Sequence, residues 1–405
     1  MFGIMLCSVH NYSLGVMIAP LEREFGWPRA EISAGFFIIS CIALVAAPII
    51  GIGVDRLGPR RIGLLGVLLF CAALAFVSTA GPDILSWWAR WALLGVASMF
   101  ILPTVWTAAI NSLYSKNRGK ALAIALCGTS LGATFMPAVT NMMVEAWGWR
   151  QAYVGLAVGG FLVMMPLSFF FFRGATDRGR AQQVRPDLAA FPGYSAREGM
   201  ATATFVKLAV AILVFSVASC ALTSNAVPVL ISHGFDGASA AWVAGLIGIG
   251  SLIGRLGGGV LLDWLDAKKV AAGSVLAPVV TVALMLAFPG EVWPAALACF
   301  VLGLSVGTEL DACAYLAARH FGMRSFGTLF GSLNGLMLFA NGFAPFASNY
   351  VYDQTKSYDP VLWAVIPLCL LTALLFLALG RYPSFDASGQ DRSIIPPTPE
   401  AAPVA

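Results

Sequence analysis

The chain has 405 residues, of which 59% are hydrophobic and 11% charged, with a formal net charge of +4. Soluble domains carry about 25% charged residues, so this composition cannot coat a water-facing surface. A transmembrane barrel would show short segments of alternating polarity, which the sequence lacks. The apolar stretches, about 20 residues each, are long enough to span a bilayer and predict an all-α membrane protein.

Twelve spans are predicted, at 2–21, 32–52, 62–80, 84–108, 120–143, 152–172, 205–230, 239–262, 270–288, 292–318, 326–350 and 361–380. The first begins at Met1 with no polar lead-in and no signal peptide before it. It reads as a first helix clipped by a start upstream, with a short first helix as the alternative. The one long polar break, 173–204, is expected to be a cytoplasmic linker between two six-helix bundles, 1–172 and 205–380. The Pro-rich tail, 381–405, reads as a disordered cytoplasmic segment. All eight cysteines fall inside apolar spans without metal or disulfide spacing, and they read as small packing residues.

Lys and Arg placement sets the orientation. With the amino terminus inside, eighteen basic residues fall on the cytoplasmic side and five outside, with Arg255 within the membrane. Both termini are therefore expected in the cytoplasm, and the net positive charge is a topology signal rather than a sign of nucleic-acid binding. Sliding one half over the other by 208 residues pairs Pro20 with Pro228, Gly26 with Gly234, Gly51 with Gly259 and Asp55 with Asp263. The same offset pairs Gly95 with Gly303, Gly119 with Gly327, Pro137 with Pro345 and Asn141 with Asn349. These matches recur at equivalent helix ends. They predict pseudo-symmetric six-helix repeats, a transporter architecture whose substrate site lies near midplane.

Apart from Arg90, Lys120 and Lys207, which fall toward span ends, three charges lie inside the predicted spans: Arg255 in the eighth, Glu309 and Asp311 in the tenth. A charge at bilayer depth costs roughly 2.5–3.5 kcal/mol on insertion scales, and such residues face the bundle interior and mark pathways. Arg255 precedes Asp263 by eight residues and Asp311 precedes Arg319 by eight, which places both about 12 Å from the same ends of their helices. Two positions on a helix are about 200° apart, so Glu309 and Asp311 cannot share a face; one is expected to face the cavity and the other to pair structurally. A plain buried ion pair of Arg255 with either acid is the structural alternative.

The loop Gly51-Ile-Gly-Val-Asp55-Arg56-Leu-Gly58-Pro59-Arg60-Arg61 resembles the signature loop of the major facilitator superfamily, and 259–269 is a degraded copy with Trp264 and Asp266 in place of the Arg and Gly. Gly51 permits close helix approach, Asp55 can meet a helix amino terminus, Gly58 supplies the turn, and Arg56, Arg60 and Arg61 lie at the headgroups; together they form an expected conformational latch. Gly148-Trp149-Arg150, Glu24-Phe-Gly-Trp-Pro-Arg-Ala-Glu-Ile-Ser33 and the stretch from Gly307 to Gly327 are similar to bacterial relatives of the monocarboxylate porters and oxalate/formate exchangers. That resemblance covers essentially the whole chain. It implies twelve transmembrane helices in two pseudo-symmetric six-helix bundles, and a carboxylate-binding arginine at Arg255, whose planar fork suits a carboxylate. The chain departs from the animal porters at Ser251, where they carry an acid, and in having no lysine before Lys116. It departs from the exchanger in span eleven, which offers Asn334 and Asn341 instead of a second cation.

These residues imply a secondary transporter of small organic anions, monocarboxylates above all, in a bacterial cytoplasmic membrane, without a cofactor and as a monomer. One arginine and two ionised acids sum to −1, and a bound anion makes −2 in low dielectric. Desolvation and like charge favour the protonated form of an acid, so proton symport through Glu309, Asp311 or His10 is expected. Asn11, Tyr12, Asn225, Tyr315 and Asn334 are the remaining candidate substrate contacts; helix packing explains each of them equally. Export or exchange of a cationic or zwitterionic solute on the two acids is the alternative. A sensor that binds without transport lacks a signalling domain, and no Walker lysine, nucleophile elbow or metal cluster suggests an enzyme or a metal site.

Overall fold

The computed structural model describes residues 1–113, 118–172, 193–322 and 324–383, and among them the chain is helical apart from one isolated antiparallel bridge between Gly193 and Gly322. Spans one to three are Phe2–Phe25, Arg29–Leu57 and Pro59–Val77. Span four is split into Ile84–Met99 and Pro103–Leu113. Spans five and six form Arg118–Phe171, broken at Gly148, whose φ of 80° no helix tolerates. Span seven is Ala203–Ser224 with Ala226–Ser232, span eight Gly237–Trp264, and span nine Ala267–Ser274 with Ala277–Ala287. Spans ten to twelve are Val292–Phe321, Phe326–Thr355 and Asp359–Leu377.

Ten of these helices are long and apolar enough to cross a membrane on composition alone. One of the ten, Ile124–Phe171, holds two spans, and span eleven, diluted by Asn334, Asn341 and Asn349, is the twelfth. Several helices run past their expected ends, because polar turns outside the apolar slab carry no hydropathy signal. Span two, for example, extends to 29–57 against the expected 32–52.

The interruptions have a common cause. Proline lacks the N–H that the carbonyl four residues earlier needs. Pro228 frees the carbonyl of Ser224, where span seven breaks, and Pro278 frees that of Ser274, where span nine breaks. The Ser305 hydroxyl of span ten donates to the Ser274 carbonyl at 2.7 Å and restores the lost bond.

The first six spans close around one core containing Phe70, Trp87, Trp91 and Tyr153, and the last six around another containing Phe215, Phe321 and Tyr358. The pseudo-symmetry shows in the backbone. Gly26 and Gly234, 208 residues apart, both have positive φ (69° and 95°) after spans one and seven. Gly148 and Lys356, again 208 apart, have φ of 80° and 58° after spans five and eleven. Of the expected linker, 173–192 lies outside the described residues; Ala196–Ala201 is a short helix with a Ser195/Glu198 capping box. Of the expected tail, 384–405 lies outside them, while Tyr382 donates to Asp266 at 2.8 Å and packs against His320.

The two halves meet along spans two and eleven and along spans five and eight. Near mid-membrane the Ser130 and Ser251 hydroxyls lie 3.1 Å apart. At the end that carries the span one–two turn, Asn349 donates to Ser33 and to Asn225 Oδ1 (2.8 Å each) and accepts from Tyr358 (2.6 Å). Span two begins after Pro28, which offers no capping side chain. Asp353 of span eleven supplies the cap from the other half, accepting from the backbone N–H groups of Arg29 (3.0 Å) and Ala30 (2.8 Å). Arg29 itself bonds to Glu22 at 2.9 Å and lies over the Tyr352 ring, 3.9 Å from its centre.

Spans eight and ten cross where both backbones are bare. A Cβ at Gly307 would lie on the Ser251 carbonyl and 2.8 Å from the Arg255 nitrogen, and a Cβ at Gly254 would meet the Leu304 backbone. Gly250 and Gly254 face Gly303 and Gly307, the small-residue spacing that permits close helix approach. This crossing fixes Arg255 beside Asp311. Gly307→Ala is expected to lower stability by about 1–3 kcal/mol through overpacking, whereas Gly257→Ala, with nothing within 4 Å of the added methyl, should keep or slightly raise it. Thermal melting of the purified protein checks both, and equal melting temperatures for the two variants contradict the crossing. Loss of a helix cap is worth about 0.5–2 kcal/mol. Asp353→Ala is therefore expected to shift the population open at the span one–two end by about 2- to 30-fold. Distances between spin labels on spans two and eleven read this out, and an unchanged distribution refutes the cross-half cap.

Candidate functional site

Arg255 sits on span eight between Gly254 and Leu256, with the glycine run 257–259 just beyond. Its side chain is 12% exposed. The Nε and Nη1 atoms are buried and make no hydrogen bond. The Oδ1 atom of Asp311 lies 3.7 Å from Nη1, too far for a hydrogen bond. The pair therefore attracts without satisfying the guanidinium. Leaving a buried charged donor unmatched costs about 1–3 kcal/mol or more, which an incoming carboxylate can recover with two parallel N–H···O bonds.

Arg255 forms part of the wall of a polar cavity of about 230 Å³ between the halves. Span one contributes Ser8, Asn11 and Tyr12, and span five contributes Thr129. Span seven lines it with Ser216, Ser219, Cys220, Thr223 and Ser224, where two turns of small polar residues face inward. Ser251 lies one turn before Arg255; span ten adds Val306, Glu309 and Leu310, and span eleven adds Met337 and Asn341. Ser216 donates to Glu309 Oε1 at 2.5 Å. The Cys220 thiol donates to Asn341 Oδ1, which leaves the Asn341 amide N–H groups as free donors. Asp311 is outside this wall, as the half-turn of separation from Glu309 requires: Glu309 lines the cavity while Asp311 stands beside Arg255. A larger groove of about 460 Å³ along spans eight to ten contains none of Arg255, Glu309 and Asp311. Among the described residues no three His, Cys, Asp or Glu side chains converge to hold a metal ion.

The other sequence candidates separate. Asn11 and Tyr12 reach the cavity. Asn225 does not: its amide donates to Ala221 O (3.0 Å) and Ser348 (2.7 Å) and accepts from Asn349, so it is consumed by the contact between the halves. Tyr315 packs against the core of the second half. Asn334 lies on span eleven outside the wall, about two turns from Asn341, which takes the place expected of it. His10 is buried in the first bundle, edge-on to Phe70 at 5.7 Å, and has no part in the cavity. In the expected latch, Gly58 makes the turn with φ 83°, Arg60 donates to the Phe169 carbonyl at 2.7 Å, and Arg61 is exposed. Gly51, Asp55 and Arg56 are helical in backbone, and their side chains lie outside those described. The serines and threonines of span seven were not legible as site residues, because the same residue types cement helix contacts everywhere in a membrane.

The family model described as the Major Facilitator Superfamily matches residues 1–345. An MFS-type transporter of Gibberella moniliformis (strain M3125 / FGSC 7600) is 25% identical over 302 residues, which span 73% of this chain and 69% of that protein. Monocarboxylate transporter 6 of Homo sapiens is 27% identical over 181 residues; the match takes in 44% of this chain and about a third (34%) of that protein's length. In architecture the chain is similar to the crystal structure of a bacterial homolog to the human lysosomal transporter Spinster, in an inward-facing and unoccupied conformation. The TM-score is 0.73 at 16% identity, covering 94% of this chain and 97% of that one. The chain belongs to the major facilitator superfamily, as a multi-pass membrane transporter and not an enzyme.

Proposed function

We propose that this transporter moves small organic anions, monocarboxylates first among them, by proton-coupled alternating access. The observation that carries the reading is the Arg255 guanidinium, buried in the cavity wall with two nitrogen atoms unpartnered and its nearest acid beyond hydrogen-bonding distance. A cationic solute would be repelled by this group, which argues against the amine alternative. The partial likeness to a monocarboxylate transporter supports the same direction.

In this reading the substrate carboxylate docks on Arg255. Glu309, in the same cavity and held by Ser216, is the proton carrier, because an anion beside an ionised Glu309 in low dielectric is strongly unfavourable. Asp311 holds the guanidinium in place between cycles. The contacts gathered at the span one–two end close that side, and the loop from Gly51 to Arg61 is the latch of the opposite state. The basic residues concentrated at the other end support a cytoplasmic location for that end and for both termini, in the reading of the chain as a bacterial inner-membrane protein. The functional unit is one chain, 1–172 and 205–380 forming its moving halves.

Proteoliposomes under an imposed pH gradient test this with a panel of carboxylates. Arg255→Ala is expected to reduce uptake by about 100-fold or more and Arg255→Lys to recover only part of it, since lysine keeps the charge but not the fork. Glu309→Gln is expected to retain exchange of carboxylate for carboxylate while losing accumulation driven by protons. Uptake that ignores the proton gradient in the unaltered protein, or competition by amines rather than carboxylates, would overturn the proposal.

A further inference from the structure

The wall around Arg255 is far more polar than an anchor for a carboxylate group requires. Only Val306, Leu310 and Met337 are apolar among its larger side chains. Elsewhere within the spans of the second half, several hydroxyls are spoken for: Ser305 bonds to Ser274 O (2.7 Å), Thr281 to Ala298 O (2.9 Å) and Thr308 to Gly254 O (3.1 Å). In the chamber some are spoken for as well: Ser8 donates to Ile4 O (3.0 Å), Thr129 to Leu126 O (2.8 Å), and Ser251 meets Ser130 (3.1 Å); others are left for a ligand. The Tyr12 hydroxyl, the Asn11 amide and the hydroxyls of Ser219 and Ser224 line the space and make no hydrogen bond among the described residues. The Asn341 amide presents its N–H groups there because Cys220 occupies its oxygen. Thr223 and Ser216 already donate, to Ser219 O and to Glu309, and keep only accepting lone pairs for a ligand.

We infer that the anion this chamber accepts is a small polyhydroxy carboxylate, hydroxylated along its chain, rather than an alkyl or aromatic acid. The inference rests on the carboxylate reading of Arg255 and adds to it the chemistry of the rest of the molecule. The chamber offers donors and acceptors side by side. A hydroxyl answers both, since it carries one donor and two accepting lone pairs. An alkyl chain would displace water from these groups and return no hydrogen bond, leaving each buried and unsatisfied. Sites built to bond a substrate hydroxyl reject the analogue that lacks it far more strongly than apolar pockets reject an extra one.

The test compares acids of equal length on the purified, full-length protein. Gluconate is set against hexanoate, and glycerate against propionate, with sorbitol as the polyol lacking a carboxylate. Binding is read from the ligand-dependent rise in melting temperature. Gluconate and glycerate are expected to stabilise at concentrations about 100-fold or more below those needed for hexanoate and propionate, and sorbitol to do nothing at those concentrations. In the Ser219→Ala, Asn341→Leu double variant the preference is expected to shrink at least about tenfold, with hexanoate binding no weaker than before. Hexanoate matching gluconate in the unaltered protein overturns the hydroxyl inference while leaving Arg255 as a carboxylate anchor. Sorbitol matching gluconate, or no response to any of the four acids, overturns the anchor itself and the inference with it.

Discussion

A guanidinium held inside lipid with too few partners is the constraint around which the rest of this molecule is arranged. Burying a charge is tolerable only when it is paired and hydrogen-bonded, and Arg255 has an acid at 3.7 Å but two buried nitrogen atoms without a hydrogen bond. The bare crossing of spans eight and ten is what makes this arrangement rigid. With Gly254 against the Leu304 backbone and Gly307 against the backbone of Ser251 and Arg255, the two helices are held at a fixed register, and Glu309 is kept on the other face of its helix, within the cavity.

The two halves repeat a scaffold and divide the chemistry. Positive-φ joints recur after spans one and seven and after spans five and eleven. Asn141 and Asn349 match under the 208-residue offset, as do Glu145 and Asp353, acids near the ends of spans five and eleven. Asn141 bonds to Glu145 at 2.7 Å beside Gly237 at the start of span eight, while Asp353 caps the start of span two. The same offset places Ala47 opposite Arg255, Ile101 opposite Glu309 and Pro103 opposite Asp311. The charges thus belong to the second half alone, and the first half answers with neutral donors and acceptors, Asn11, Tyr12 and Thr129. The cavity is thus shared between the halves, with its charges on one side and neutral groups on the other.

Much of this was legible in the sequence because the bilayer writes strong signals. Span number followed from apolar length, and Arg255, Glu309 and Asp311 stood out because charges are so costly there. The 200° separation of the two acids anticipated their different surroundings, though not which would face the cavity. Residues whose type is ambiguous in a membrane were harder to place. Asn225 and Asn341 are chemically identical, yet one bridges the halves and the other lines the cavity; only the break that Pro228 imposes on span seven and the packing of span eleven separate them. His10 drew notice as a titratable group, but its helix face turns it toward Phe70. The serines of span seven carried no signal at all, since a serine that cements two helices and one that waits for a ligand look alike until the helices are placed.

The central claim is that Arg255 is the anchor for a travelling carboxylate. The most direct measurement is a ligand-bound structure, determined with whichever carboxylate most stabilises the purified protein. The account predicts both carboxylate oxygens within about 2.7–2.9 Å of the Arg255 guanidinium, with the Asp311 contact no shorter than it is now. A carboxylate bound elsewhere in the cavity, with Arg255 closed onto Asp311 by direct hydrogen bonds, would contradict it.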